Sequence, residues 1–207
     1  MNTTSVVDTP RGPARLLTDA GERGLLVLGH GAGGGPEAPD LLAARAGALQ
    51  AGFAVARVEQ PWRVKQRRVA EAPAHLDAAW LAVLAALAGR WLGGPLVVGG
   101  RSSGARVACR TATAVGARGV LALAFPLVPP GRAATRAGEL TLPTVPRLVV
   151  QGSRDAFGLP AAGPGLQVAV VEGADHAFAV RRSEGRSRAD VLAEVQRLVG
   201  EWLQTVT

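Results

Sequence analysis

The chain has 207 residues, 48% of them hydrophobic, enough to bury a sizeable core and to exclude a disordered chain. Its formal net charge of +7 comes almost wholly from arginine, Lys65 being the single lysine, in a chain also rich in Ala and Gly. No aromatic-basic RNA signature or zinc spacing accompanies that charge, so we read no nucleic-acid partner. One cysteine, Cys109, excludes an internal disulfide framework, and no apolar run reaches the length of a membrane span.

Residues 4–8 and 13–17 are weak strand candidates around Thr9-Pro10-Arg11-Gly12; residues 1–20 are edge strands or a loose N-terminal arm. Met1 to Leu17 lacks the apolar core of a signal peptide, so a cytoplasmic protein is expected. Leu25-Leu26-Val27-Leu28 is a buried strand ending in the glycine-rich loop His30-Gly31-Ala32-Gly33-Gly34-Gly35. Asp40 is a candidate cap for a helix to about Ala51. Phe53 to Val58 is the next strand, followed by Gln60-Pro61-Trp62 and the basic loop Arg63, Lys65, Arg67, Arg68. Leu76 to Leu92 has helical spacing of Leu76, Trp80, Leu84, Leu87 and Trp91. A strand at Leu96 to Val98, a helix after Ser103 and a strand at Val120 to Phe125 follow. Residues 126–145, Pro- and Gly-rich, read as mostly loop. Strands at Arg147 to Gln151 and Leu166 to Val171 precede a last helix, Arg188 to Leu203. Strands alternating with helices imply a mostly parallel sheet with helices on both faces. Ligands of such sheets bind at the carboxyl ends of the strands.

Gly100-Arg101-Ser102-Ser103-Gly104 stands between an apolar strand and a helix-compatible run. It fits G-x-S-x-G, a sharp turn that presents a serine nucleophile, although Gly and Ser also make plain turns. A serine hydroxyl needs a base within hydrogen-bond reach and a third group to orient that base. Of three histidines, His176 lies between a strand and the last helix, where it can reach the sheet edge. His75 beside Pro73 reads as surface or capping, and His30 as a brace of its loop. Asp155, at another strand end, is the orienting carboxylate; a turn aspartate paired with Arg154 is the alternative. Asp175 is less suited because its side chain is expected to diverge from that of its neighbour His176. Ser103 N–H supplies one oxyanion donor, and Ala32 or Gly33 in the glycine loop the other. That loop does not fit a phosphate cradle: it lacks a G-K-[ST] ending, and Pro36 follows Gly35.

His30-Gly31-Ala32-Gly33-Gly34, the Ser102 pentapeptide, Gln151 to Gly158 and Gly173-Ala174-Asp175-His176, in that order, resemble the α/β-hydrolase superfamily over residues 20–205. More narrowly they resemble testis-expressed-protein-30 and KAT8-regulatory-subunit-3-like domains, close to dienelactone hydrolases. The resemblance implies a minimal, lidless α/β-hydrolase, one domain over 1–207. It implies a Ser102–Asp155–His176 triad, an oxyanion hole from Ala32 and Ser103, and no metal or organic cofactor. Dienelactone hydrolases typically use a cysteine nucleophile, from which Ser102 departs. The expected activity is cleavage of a small ester or thioester; the alternative is a catalytically silent interaction module. His30, Trp62, Arg63 and Arg67 are candidate substrate contacts, Trp62 as an acyl-pocket wall or else a partly buried loop anchor, and the basic loop as a steering element for an anionic substrate or else a solvated surface. A monomer or homodimer, without nucleic-acid or membrane partners, is expected.

Overall fold

The computed structural model describes residues 3–89, 91, 93–131, 133 and 135–207. Eight strands form one sheet: β1 (Thr3–Thr9), β2 (Gly12–Asp19), β3 (Gly24–Gly29), β4 (Phe53–Glu59), β5 (Leu96–Arg101), β6 (Gly119–Leu123), β7 (Arg147–Gly152) and β8 (Leu166–Val171). Their spatial order is β1-β2-β4-β3-β5-β6-β7-β8. β1 pairs antiparallel with β2, and β2 with β4; every other pairing is parallel. The N-terminal segment is thus an edge hairpin of the sheet.

β3 and β6 are apolar throughout, and β4, β5 and β7 mostly so, because both faces of the sheet are covered. Successive side chains point to opposite faces, so Leu25 and Val27 of β3 enter one core while Leu26 and Leu28 enter the other. On the first face lie α3 (Pro73–Ala88) and α4 (Ser103–Thr111), which bury Trp80, Val83 and Leu84, and Ala105, Val107 and Ala108. On the second lie α1 (Pro39–Gln50) and α6 (Arg188–Thr205), which bury Leu41 and Ala44, and Val195, Val199 and Trp202. Ser187 and Asp190 close a reciprocal capping box at the start of α6. Two short helices, α2 (Pro61–Val64) and α5 (Ala137–Thr141), complete the described helices apart from a single 3-10 turn at Arg182–Glu184. The described residues between β6 and β7 hold only loop and α5, so no inserted lid covers the strand ends. No helix is long and apolar enough to cross a membrane among the described residues.

Three local expectations are corrected. α3 starts at Pro73 rather than Leu76, since proline at the first helical position loses no needed N–H, and it stops at Ala88; the expected end, Leu92, lies outside the described residues. Asp40 is not the cap of α1: Ala38 holds that position without a side-chain cap bond, and Asp40 sits inside the first turn. Part of the basic loop is one helical turn, α2, begun by Pro61.

Candidate active site

The turn after β5 is built by close packing. A Cβ on Gly100 or on Gly104 would run into the carbonyl oxygen of Gly29, so glycine is required at both. Between them Ser102 takes φ 52°, ψ −111°, a conformation that a residue with a Cβ seldom adopts. This strained step turns the chain from β5 directly into α4 and leaves Ser102 half-buried at the sheet edge.

The loops after β7 and β8 bring the other two groups to it. His176 Nε2 is 3.1 Å from Ser102 Oγ, and His176 Nδ1 is 2.8 Å from Asp155 Oδ2. The Asp155 side chain is fully buried. Its Oδ2 also accepts from Gln151 Nε2 at 2.8 Å, and its Oδ1 from the Phe157 N–H at 2.9 Å. Gln151 in turn holds Phe125 N–H, Phe125 O and Gly158 O. Its single side chain therefore ties the acid to the ends of β6 and β7. The Phe157 ring covers His176 with centroids 4.4 Å apart. Asp175 does not touch the imidazole; its Oδ1 accepts from Ala177 N–H and Ala179 N–H and shapes the His176 turn.

The glycine loop passes beside the serine: a Cβ on Gly31 would stand 3.4 Å from Ser102 Cβ. Among the described residues, the N–H groups of Ala32, Gly33 and Ser103 have no backbone acceptor. Ser103 is also the first residue of α4, where free N–H groups gather. His30 braces the loop from beneath. It is 97% enclosed, accepts the Gln60 N–H on Nε2 at 3.1 Å, and so keeps its proton on Nδ1, facing Gly31 O at 2.9 Å. Burial holds its pKa below the ordinary value, against the raising effect of the Gly31 carbonyl.

Arg101 joins the parts. Its Nη2 donates to the His176 carbonyl at 3.0 Å and its Nε pairs with Asp40 Oδ2 at 2.8 Å. Burial raises the Asp40 pKa and Arg101 opposes that rise. Neither Arg101 nor Gln151 was singled out in the sequence, although a glutamine closing the apolar run Leu148-Val149-Val150 was a readable anomaly.

Four further residues were expected near the substrate. Trp62 is buried in the core under α3 and packs against His30 with centroids 5.4 Å apart. The space that it lines with His30, Ser103 and Gly104 is only about 10 Å³, no more than a water needs. Trp62 is thus a loop anchor and not an acyl-pocket wall, and His30 is likewise a brace. Arg63 opens onto a cleft of about 470 Å³ bounded by Gly33 to Asp40, Arg15, Glu59, Arg101, Ala177 and Arg188. Arg67, one helical turn on, lies 3.7 Å from Glu71 and outside that cleft, while Lys65 donates to Arg11 O of the hairpin. His75 is exposed in the first turn of α3, 3.9 Å from Glu71. No group of three or more potential metal ligands is gathered among the described residues.

An open, mostly parallel sheet with a strained serine turn and a Ser-His-Asp relay at its strand ends defines the α/β-hydrolase class. The α/β-hydrolase domain family matches residues 22–204, so the chain belongs to that family. A lidless α/β serine hydrolase from Xanthomonas campestris superimposes with a TM-score of 0.75 at 19% identity, over 100% of this chain and 97% of that one. An α/β serine hydrolase homologue from Coxiella burnetii gives 0.76 at 18%, over 98% of each chain. A dienelactone hydrolase from Anabaena variabilis gives 0.75 at 17%, over 100% and 98%. At these identities the likeness is one of fold. No curated protein matches the chain by sequence.

Proposed function

We propose that the chain is a serine hydrolase that cleaves a small carboxylic ester or thioester through an acyl-enzyme on Ser102. The observation that carries this reading is the continuous relay from Asp155 Oδ2 through His176 to Ser102 Oγ, at 2.8 and 3.1 Å. Asp155 accepts the Nδ1–H, which leaves the Nε2 lone pair facing the serine hydroxyl. Ser102 Oγ attacks the acyl carbon and its proton passes to Nε2. The carbonyl oxygen, now an oxyanion, is received by Ser103 N–H with Ala32 or Gly33 N–H. The bond to the leaving oxygen or sulfur then breaks, and the imidazolium returns the proton to it. Water repeats both steps on the acyl-enzyme, releasing the acid and regenerating Ser102. The chain's own groups and water carry every step.

The order of the motifs also supports a narrower kinship with testis-expressed-protein-30 and KAT8-regulatory-subunit-3-like domains. A fluorophosphonate probe tests the reading. Labelling of Ser102, absent in Ser102→Ala, with turnover of p-nitrophenyl or coenzyme A esters of graded length, is the expected result. Folded protein that neither labels nor turns over any ester would instead be an interaction module.

A further inference from the structure

The cleft beside the glycine loop has a chemistry that the triad does not use. Its volume of about 470 Å³ is within the range of small-molecule sites. Gly33 and Gly34 present bare backbone to it, with open space where a Cβ of Gly33 would stand. The loop is held from behind: buried Arg57 donates to Pro36 O at 2.9 Å and pairs with Glu37 at 3.0 Å. The cleft therefore does not need a ligand to form it.

Its walls carry Arg15, Arg63, Arg101 and Arg188. Arg101 is matched by Asp40. Arg15 and Arg63 share one carboxylate, Glu59, at 2.7 and 3.9 Å. Arg188 spends one N–H on Ala177 O and is in no ion pair within 4.0 Å among the described residues, although its charge acts on Asp40, which Arg101 already holds. With Glu37 taken by Arg57, four arginines of the lining face two remaining carboxylates, Asp40 and Glu59, so positive charge is in excess there. Arg63 and Arg188 flank the glycine loop on one side and the residue after His176 on the other. A guanidinium offers paired donors in a fork that fits an oxyacid group.

We infer that this cleft is a subsite for an anionic oxygen group, a carboxylate or a phosphate, carried on the substrate and held between Arg63 and Arg188. The inference rests on the hydrolase reading for its catalytic readout and deepens it by naming the substrate class. Of the two basic-loop candidates it keeps Arg63 and leaves out Arg67, which lies near Glu71 outside the cleft.

Two measurements keep the claims separate. The first is titration calorimetry on Ser102→Ala with glutarate and with phosphopantetheine, each against a neutral analogue, glutaramide and pantetheine. At least one anion should bind about tenfold tighter than its analogue, and the winning anion identifies the source. Arg63→Gln/Arg188→Gln should abolish that margin, while Arg67→Gln should keep it. The second measurement, on the chain with Ser102, is the ratio of kcat/KM for p-nitrophenyl hemiglutarate over p-nitrophenyl valerate, and for acetyl-coenzyme A over N-acetylcysteamine thioester. At least one ratio should fall about tenfold in the double variant. No anionic margin in binding, or a margin that survives the double variant, overturns the inference even if esters are cleaved. Anion binding that depends on both arginines, with no ester cleaved, upholds the subsite and overturns only the hydrolase reading.

Discussion

Arg101 and Asp40 form an ion pair of 2.8 Å between the strand that leads into Ser102 and the first turn of α1, and the same guanidinium holds the His176 carbonyl. Removing the guanidinium leaves a buried carboxylate uncompensated, a loss of about 3–5 kcal/mol. Arg101→Met should therefore lower Tm sharply at pH 7. Burial already raises the Asp40 pKa, so its folded form holds a proton that the unfolded chain releases above 3.8. Stability from this group falls as pH rises through that window, and the fall reaches further without Arg101. The Tm gap between Arg101→Met and the parent should narrow from pH 7 to pH 5. A gap that widens would place the lost stability elsewhere. Arg101→Met/Asp40→Asn should regain Tm but not kcat, because the His176 carbonyl stays untied.

Ser102 yields two opposite expectations. Ser102→Ala should lose about 10⁶ in kcat with Tm nearly unchanged. Ser102→Gly should be equally inactive but more stable than the alanine variant by about 1 kcal/mol, since glycine accepts φ 52° without strain. Thermal melts of the two side by side test this, and equal Tm values would show that the turn at Ser102 stores no strain.

Asp155→Asn should cost about 10⁴ in kcat by disfavouring the tautomer that faces Ser102. Asp175→Asn retains the oxygen that accepts from Ala177 and Ala179, and should cost far less. The reverse ranking would reassign the acid. Gln151→Leu should reduce both kcat and stability, the latter by about 1–3 kcal/mol, because the buried Phe125 N–H loses its acceptor.

His30 should make the fold acid-sensitive. Burial depresses its pKa, so below its ordinary value of 6.5 the unfolded chain takes up a proton that folded His30 refuses. Its contribution is complete above 6.5 and is lost as pH falls toward its folded pKa. The loss of Tm from pH 7 to pH 5 should be smaller in His30→Gln than in the parent. Parallel Tm curves would show that His30 is not the group responsible.

The sheet, the helices and the meeting of Ser102, His176 and Asp155 were legible because each leaves a local mark: an apolar run, a glycine turn, a polar residue just past a strand. Contacts distant in sequence leave none. Arg101 meets His176 from 75 positions away, and nothing beside it in the chain announces that reach. Gln151 was visible only as a polar residue at the end of an apolar strand; its partners come from the ends of β6 and β7. Trp62 follows a strand as a pocket wall would, yet the single turn of α2 folds its ring inward against His30. The same turn sends Arg63 to the cleft and Arg67 to Glu71, a division that spacing alone does not predict.

β8, whose exit loop delivers His176, is an outermost strand of the sheet, paired with β7 alone and half-exposed along most of its length. Strands of that kind open locally at a free energy below that of global unfolding. Ser102 and Asp155 are anchored on strands deeper in the sheet, so warming should detach His176 from Ser102 while the sheet's interior is still closed. Activity should then fade several degrees before the cooperative melt and return on cooling. The working ceiling of the protein would be set by the fraying of one border strand, and a brace placed across β7 and β8 would raise it without touching the core.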